Sequence, residues 1–258
     1  MSASFPVEVH VWFQETESLD PAALALAGQV LSQEEHIQRD RFRFPEDQRD
    51  YAAAHSLLRR SLSKHAPARH PSGWHFEKNA FGKPYLAGSD GETPATEFSL
   101  SHTRGFVACA ISMARVGIDV ERARQHIDYE NIAQSNFSHQ EIRALEELPA
   151  IARMTRVLEL WTLKEAFLKA TGCGLSAPLD SVWFELLPPG AIRFHAPNDV
   201  DIGSWKFALF TPGPEVRMAI AVQSRGLPRV LLQGTEVRDP QNAGGGALTL
   251  QWRSLADV

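Results

Sequence analysis

Gly117-Ile118-Asp119-Val120-Glu121 sets two carboxylates two positions apart in a run of strand-forming residues. Side chains alternate between the faces of a strand, so Asp119 and Glu121 share one face and Ile118 and Val120 the other. Carboxylates about 6–7 Å apart on a rigid strand are oxygen ligands for a hard divalent cation. A half-exposed strand with its polar side outward fits the same residues.

Trp161-Thr162-Leu163-Lys164-Glu165-Ala166-Phe167-Leu168-Lys169 has helical character, and Trp161, Glu165 and Lys169 fall in one i, i+4 row. Glu165 there supplies a third metal carboxylate or a base, and Lys169 an ammonium for phosphate charge. The plain alternative is a surface ion pair. In Phe98-Ser99-Leu100-Ser101-His102 the two apolar residues share a face, and Ser101 and His102 fall at the strand end. A hydroxyl and an imidazole there bind phosphate oxygens or serve the turn. Gly82-Lys83-Pro84 is a rigid turn whose lysine is a point charge for phosphate. Arg39, Arg41, Arg43, Arg49, Arg59 and Arg60 form a basic cluster. Their guanidinium groups suit phosphate, or pair with Glu46, Asp47 and Asp50.

The elements that must position these groups follow from periodicity and punctuation. Val7–Phe13 alternates as a strand. Asp20-Pro21 opens a helix, Ser32–Ile37 starts another, and Asp47–Lys64 carries Tyr51, Ala54, Leu57, Leu58 and Leu62 near helical spacing. Gly73–Lys78, Phe98–Ser101, Phe106–Ser112 and Arg115–Glu121 read as strands. Asp128–Ala133, His139–Glu147 and Ala150–Thr171 read as helices, followed by strands at Ser181–Leu186, Trp205–Phe210 and Glu215–Val222. The order long helix, strand, two strands occurs twice. That predicts an α+β fold of two halves, 1–113 and 114–224, with a cleft between them that suits a ligand. Residues 225–258 hold Asp239-Pro240, a glycine triplet and two further candidate strands, Val230–Gln233 and Leu248–Trp252. They read as a C-terminal extension without a functional assignment.

The chain has 258 residues, 43% hydrophobic and 22% charged, with a net charge of −5. This is the composition of a soluble globular protein. It lacks the basic excess of a nucleic-acid binder. Two cysteines, Cys109 and Cys173, are too few for a metal knuckle or a disulfide framework, and both are expected to be buried or inert thiols. The opening MSASFPVEVHVWF has no basic n-region and no long apolar run, and no stretch is apolar enough to span a membrane. A cytoplasmic, membrane-free protein is expected.

In their order along the chain, GKP, Phe98–His102, Gly117–Glu121 (GIDVE) and Trp161–Lys169 (WTLKEAFLK) resemble the 4′-phosphopantetheinyl transferase superfamily. The similarity is to its larger, surfactin-synthetase-activating type, a single chain of two pseudo-symmetric halves. It extends over roughly Glu34 to Val222. It implies coenzyme A in the cleft, Asp119, Glu121 and Glu165 converging on Mg²⁺, and Lys169 facing the pyrophosphate. It further implies Ser101 and His102 near the phosphates of CoA. Lys83 and Lys78 fall near the adenosine 3′-phosphate, with Arg39, Arg41 or Arg49 beside it. Phe137-Ser138-His139-Gln140-Glu141 resembles another family segment, and makes Glu141 a second candidate base after Glu165, or a structural cap.

The resemblance implies a Mg-dependent holo-acyl-carrier-protein synthase. It moves the phosphopantetheine arm of CoA to a serine of an apo acyl or peptidyl carrier protein and releases adenosine 3′,5′-bisphosphate. The implied partners are CoA and the carrier, acting on a monomer. Catalysis of this kind is mostly positioning and charge neutralisation. Two other classes fit parts of the pattern. A non-catalytic CoA or carrier-binding module keeps the fold without needing the whole acidic and basic set. A Mg²⁺-dependent phosphohydrolase uses the carboxylates but leaves GKP and Phe98–His102 without a purpose.

Overall fold

The computed structural model describes residues 6–87, 96–124, 127–174, 178–188, 190–213, 215–234 and, for the backbone, 248–250. The first half runs β1 (Glu8–Glu15), α1 (Pro21–Gly28), α2 (Gln33–Asp40), α3 (Pro45–His65), β2 (Phe76–Lys78), β3 (Pro84–Leu86), β4 (Glu97–Thr103) and β5 (Phe106–Ser112). The second runs β6 (Val116–Arg122), α4 (Tyr129–Asn136), α5 (His139–Glu146), α6 (Ala150–Thr171), β7 (Trp183–Leu187), β8 (Ala191–His195), β9 (Trp205–Gly213) and β10 (Val216–Gln223). Each half is a strand, a long helix, a short hairpin and two strands. The sheet orders match as well, β1-β5-β4 against β6-β10-β9. The repeat read faintly from element order is a repeat of topology.

Alternation builds four layers. Val9 and Val11 of β1 and Phe106, Ala108 and Ala110 of β5 meet Val116, Ile118 and Val120 of β6 and Met218 and Ile220 of β10 in one core between the two sheets. The opposite faces carry Trp12, Phe98, Cys109 and Ile111 onto α3 through Leu57, Leu58 and Leu62. Ala219 and Ala221 of β10 pack under Leu163, Ala166, Phe167 and Ala170 of α6. The order is therefore helix, sheet, sheet, helix.

Local chemistry sets the helix boundaries. The Asp20 side chain accepts from Ala23 N–H at the start of α1. Ser32 and Glu35 make a reciprocal capping box on α2, as Ser138 and Glu141 do on α5. Gly172 stops α6 with φ 73°, its N–H bonded to Leu168 C=O at 2.9 Å.

Two expectations change. Residues 225–258 were set apart as an extension, but β11 (Arg229–Gly234) pairs in parallel with β1, from Glu8 opposite Arg229 to Phe13 opposite Gly234. It is a strand of the first half's sheet, with β12 (Leu248–Leu250) beyond it. The rest of that segment, including 251–252 of the second candidate strand, lies outside the described residues. Cys109 is buried, and burial pushes its thiol up to about 12, but Cys173 is exposed just past α6. Among the described residues no helix is long and apolar enough to cross a membrane.

Candidate active site

Asp119 projects from β6 toward α6, on the side away from Ile118 and Val120, as alternation requires. α6 can lie this close because residue 117 has no Cβ. A Cβ there would stand 1.9 Å from Ala166 O and 2.5 Å from Ala170 N. Gly117 is thus the crossing point that brings one helical turn of Glu165 and Lys169 beside the carboxylate strand. Lys169 Nζ lies 2.6 Å from Asp119 Oδ1 and 2.8 Å from Ser101 Oγ.

Ser101 is fully used. Its proton goes to Asp119 Oδ1 at 2.9 Å, and its oxygen accepts from Lys169 and from Val120 N–H at 3.2 Å. It is a buried bridge between the halves, with no donor left for a phosphate oxygen. His102 is exposed, on the α3 side of β4. It lies in the field of Lys169, His55, Asp50 and Asp47.

The three carboxylates named from the sequence share one electrostatic field. Burial, and then Asp119, push Glu121 up to about 7. The same two causes, in the same order, raise Glu165. Asp119 Oδ2 is buried without a hydrogen-bond partner. Among the described residues no three His, Cys, Asp or Glu side chains close into a cation cage; here Lys169 sits on Asp119. An orphaned carboxylate oxygen beside two carboxyls raised by burial and by Asp119 is nevertheless the environment that a hard divalent cation relieves. The donor set fits Mg²⁺.

A cleft of about 260 Å³ adjoins this cluster. It is lined by Lys83 and its turn (Phe81, Gly82, Pro84), by Ser99 and Leu100 of β4, and by Glu165, Lys169 and Gly172 of α6. Asn79 clamps the turn. Its Oδ1 accepts from Phe81 and Lys83 N–H, and its Nδ2 donates to Gly172 C=O at 3.0 Å. Lys83 Nζ donates to Ala170 C=O and pairs with Glu97 at 3.2 Å, a cation at the carbonyl end of α6. Both halves of the chain therefore build this cleft.

The other candidates stand apart. Glu141 is buried, with one oxygen on Lys164 Nζ at 2.8 Å and on Ser138, and the other on Phe184 N–H at 3.1 Å. Of the two roles open to it, its contacts are those of the cap. Lys164, the lysine inside WTLKEAFLK, also donates to Leu179 and Val182 C=O and is fully buried. Arg39 is held on Asp40, Arg41 on Gln38 and Arg49 on Asp50. Asp50 itself accepts from Thr16 and from Gly105 N–H. Arg59 is a buried strut from α3 to Glu35 and to the carbonyls of Pro71 and Trp74. Lys78 is exposed at the end of β2. None of these residues lines the cleft. Three residues that do serve the site carried no assignment from the sequence: Gly117 at the crossing, Asn79 under the turn, and Ser99 on the wall.

Comparison with known proteins comes after this geometry. Residues 115–221 match the family model of the 4′-phosphopantetheinyl transferase superfamily, and residues 19–114 that of the 4′-phosphopantetheinyl transferase N-terminal region. The chain is 31% identical over 220 residues to 4′-phosphopantetheinyl transferase HetI of Nostoc sp., covering 85% of this chain and 89% of that protein. It is 31% identical over 170 residues to a 4′-phosphopantetheinyl transferase of Bacillus subtilis, covering 66% and 72%. Among solved structures, the Thermotoga maritima holo-acyl-carrier-protein synthase matches with a TM-score of 0.37 at 22% identity, over 50% of this chain and 74% of that one.

Proposed function

The chain belongs to the 4′-phosphopantetheinyl transferase superfamily, and we propose that it transfers the phosphopantetheine arm of coenzyme A to the serine hydroxyl of an apo carrier protein. The observation that carries this reading is the Lys169–Asp119–Ser101 cluster with its orphaned Asp119 oxygen, set at the wall of a cleft that also holds Lys83.

The reaction breaks the phosphorus–oxygen bond of the CoA pyrophosphate on the pantetheine side and forms one to the carrier serine. Adenosine 3′,5′-bisphosphate leaves, and the serine proton must go to a base. Glu165 lines the cleft beside Lys169, and it is placed to accept that proton, directly or through a water, or to act only as a cation ligand. Lys169, in the same cleft, meets the charge that develops on the pyrophosphate oxygens. Lys83 adds positive charge to the same cleft and would meet the 3′-phosphate of CoA. Asp119, Glu121 and Glu165 would hold Mg²⁺, which supplies charge neutralisation and orientation of the pyrophosphate when bound. Because one chain contributes both walls, we take the monomer as the working unit.

The test is incubation of purified protein with CoA, Mg²⁺ and a panel of apo carrier proteins, followed by intact carrier mass. The expected result is the gain of one phosphopantetheine group, lost with EDTA. CoA binding without a mass gain on any carrier would replace the transferase reading with a binding module.

A further inference from the structure

β4 carries hydroxyls at alternate positions, Ser99, Ser101 and Thr103, on the face opposite Phe98 and Leu100. All three are buried, and all three act on β6, a strand with which β4 shares no backbone ladder. Ser99 Oγ accepts from Ile118 N–H at 3.0 Å. Ser101 Oγ accepts from Val120 N–H and donates to Asp119 Oδ1. Thr103 Oγ1 donates to Glu121 Oε2 at 3.3 Å and accepts from Arg124 Nη2 at 3.3 Å.

β6 is paired on its other edge with β10. Its amides at 118 and 120 therefore meet the seam between the two sheets, where an unpaired buried N–H is costly. The serine hydroxyls take the place of a neighbouring strand there. The amides on both sides of Asp119 are thereby fixed to the first half, and Thr103 fixes the side chain of Glu121. Serine and threonine reach through one rotatable bond, so each hydroxyl stands where the β4 backbone puts it. Longer donors at these positions would not fix the carboxylates so tightly.

We infer that Ser99 and Thr103 are positioning residues that hold Asp119 and Glu121 ready for a divalent cation. This rests on the reading that these carboxylates bind one. Thr103 lies outside the cleft that Ser99 lines, so its role does not depend on touching CoA. Their role is to carry the placement of the first half's sheet across the seam into the acidic strand of the second.

The test is Mn²⁺ binding to the full chain without CoA, read by loss of the free-ion electron-spin signal, for wild type, Thr103→Val, Thr103→Ser and Ser99→Ala. Thermal midpoints, and kcat and CoA KM at saturating metal, are measured beside it. Thr103→Val and Ser99→Ala should weaken Mn²⁺ about five- to tenfold, the size of one net hydrogen bond. CoA KM should stay unchanged in Thr103→Val, a residue outside the cleft, and Thr103→Ser should restore Mn²⁺ binding. Wild-type Mn²⁺ affinity in both weakened variants, even with lower thermal midpoints, would reduce the ladder to a structural seam and overturn the inference while leaving transfer intact. A wild type that neither binds Mn²⁺ nor transfers would overturn the inference together with the functional reading beneath it.

Discussion

Lys169 Nζ lies 2.6 Å from Asp119 Oδ1, while the second oxygen of the same buried carboxylate has no partner. One oxygen is committed to an ammonium and to Ser101, and the other is the oxygen that the proposed Mg²⁺ would take. This division lets a single aspartate keep Lys169 in place and still leave one oxygen unused.

Asp119→Asn should therefore fail twice, losing the open anionic oxygen and the partner of Lys169. Transfer is expected to fall by about three orders of magnitude or more. Lys169→Met should lower kcat by about 10²–10³, the cost of one preorganised donor. Steady-state kinetics with a carrier that wild type modifies checks both. A Lys169→Met enzyme that kept its kcat would remove Lys169 from the charge-stabilising role.

Glu121 gives the site a pH signature. Its carboxyl stands at about 7 in the metal-free fold, above its ordinary value of 4.5. A raised carboxyl makes the folded state hold its proton more tightly than the unfolded chain. The stability this brings is fully present below pH 4.5 and is lost as pH rises through 7. Metal-free protein should accordingly lose thermal stability from about pH 5 to pH 8, and Mg²⁺ should restore more of it at pH 8 than at pH 6. Thermal melts with EDTA or with Mg²⁺ across that range decide the point, and Glu121→Gln should flatten the EDTA profile.

Glu141 offers the opposite outcome. Its oxygens serve Lys164, Ser138 and Phe184 in a dry interior. Breaking such a pair leaves a buried ammonium with carbonyl partners but no counter-charge, a loss of about 3–5 kcal/mol. Glu141→Gln should lower the thermal midpoint sharply, while kcat per folded molecule stays within a few-fold of wild type. A collapse of kcat with an unchanged melt would make Glu141 a base after all.

What the sequence displayed and what it hid have distinct physical causes. Asp119 and Glu121 were legible because a strand has period two, and Glu165 and Lys169 because a helix turn is short. Both are properties of one element. Gly117 is different, since its need for hydrogen at Cα comes from a helix fifty residues further on, and nothing local announces that crossing. Lys164 sits between readable neighbours, yet its partners come from α5 and from the segment before β7. Ser99 looked like an ordinary polar strand residue and Thr103 fell past the expected strand end at Ser101, because the strand they serve is not their sheet neighbour. The β11 segment read as a strand, but its parallel partner β1 lies at the other end of the chain. The hairpin strand β8 went unread, a five-residue piece with no strong alternation of its own.

Gly117→Ala turns the crossing into a measurement. The new methyl would fall 1.9 Å from a backbone oxygen of α6, which no side-chain rotation relieves. Overpacking in a tight core costs about 1–3 kcal/mol, and here the strain must move α6 itself. Loss of stability should come with loss of Mn²⁺ affinity, because Glu165 and Lys169 travel with the helix. Unchanged Mn²⁺ affinity in a folded Gly117→Ala protein would show that α6 does not have to approach this closely.

The carrier should meet the surface beyond Glu121. Arg122, Arg124, Ile127, Tyr129, Ile132 and Trp161 line a second cleft there, of about 240 Å³, with Glu121 at its edge. This mixed basic and apolar surface would complement a carrier that is acidic around its serine. The two arginines are not equivalent. Arg122 is paired with Glu17 at 3.2 Å and Glu15 at 3.8 Å, at the rim, whereas Arg124 bonds Thr103 and so reaches toward Glu121. Arg122→Glu should raise the carrier KM about tenfold at low salt, with a smaller effect at high salt, because rim charges act mainly on encounter. CoA KM should not move. Arg124→Glu should raise the carrier KM and also weaken Mn²⁺, through its contact with Thr103. Initial rates against carrier concentration at two ionic strengths separate these effects, and unchanged carrier kinetics in the Arg122→Glu, Arg124→Glu double variant would place the docking surface elsewhere.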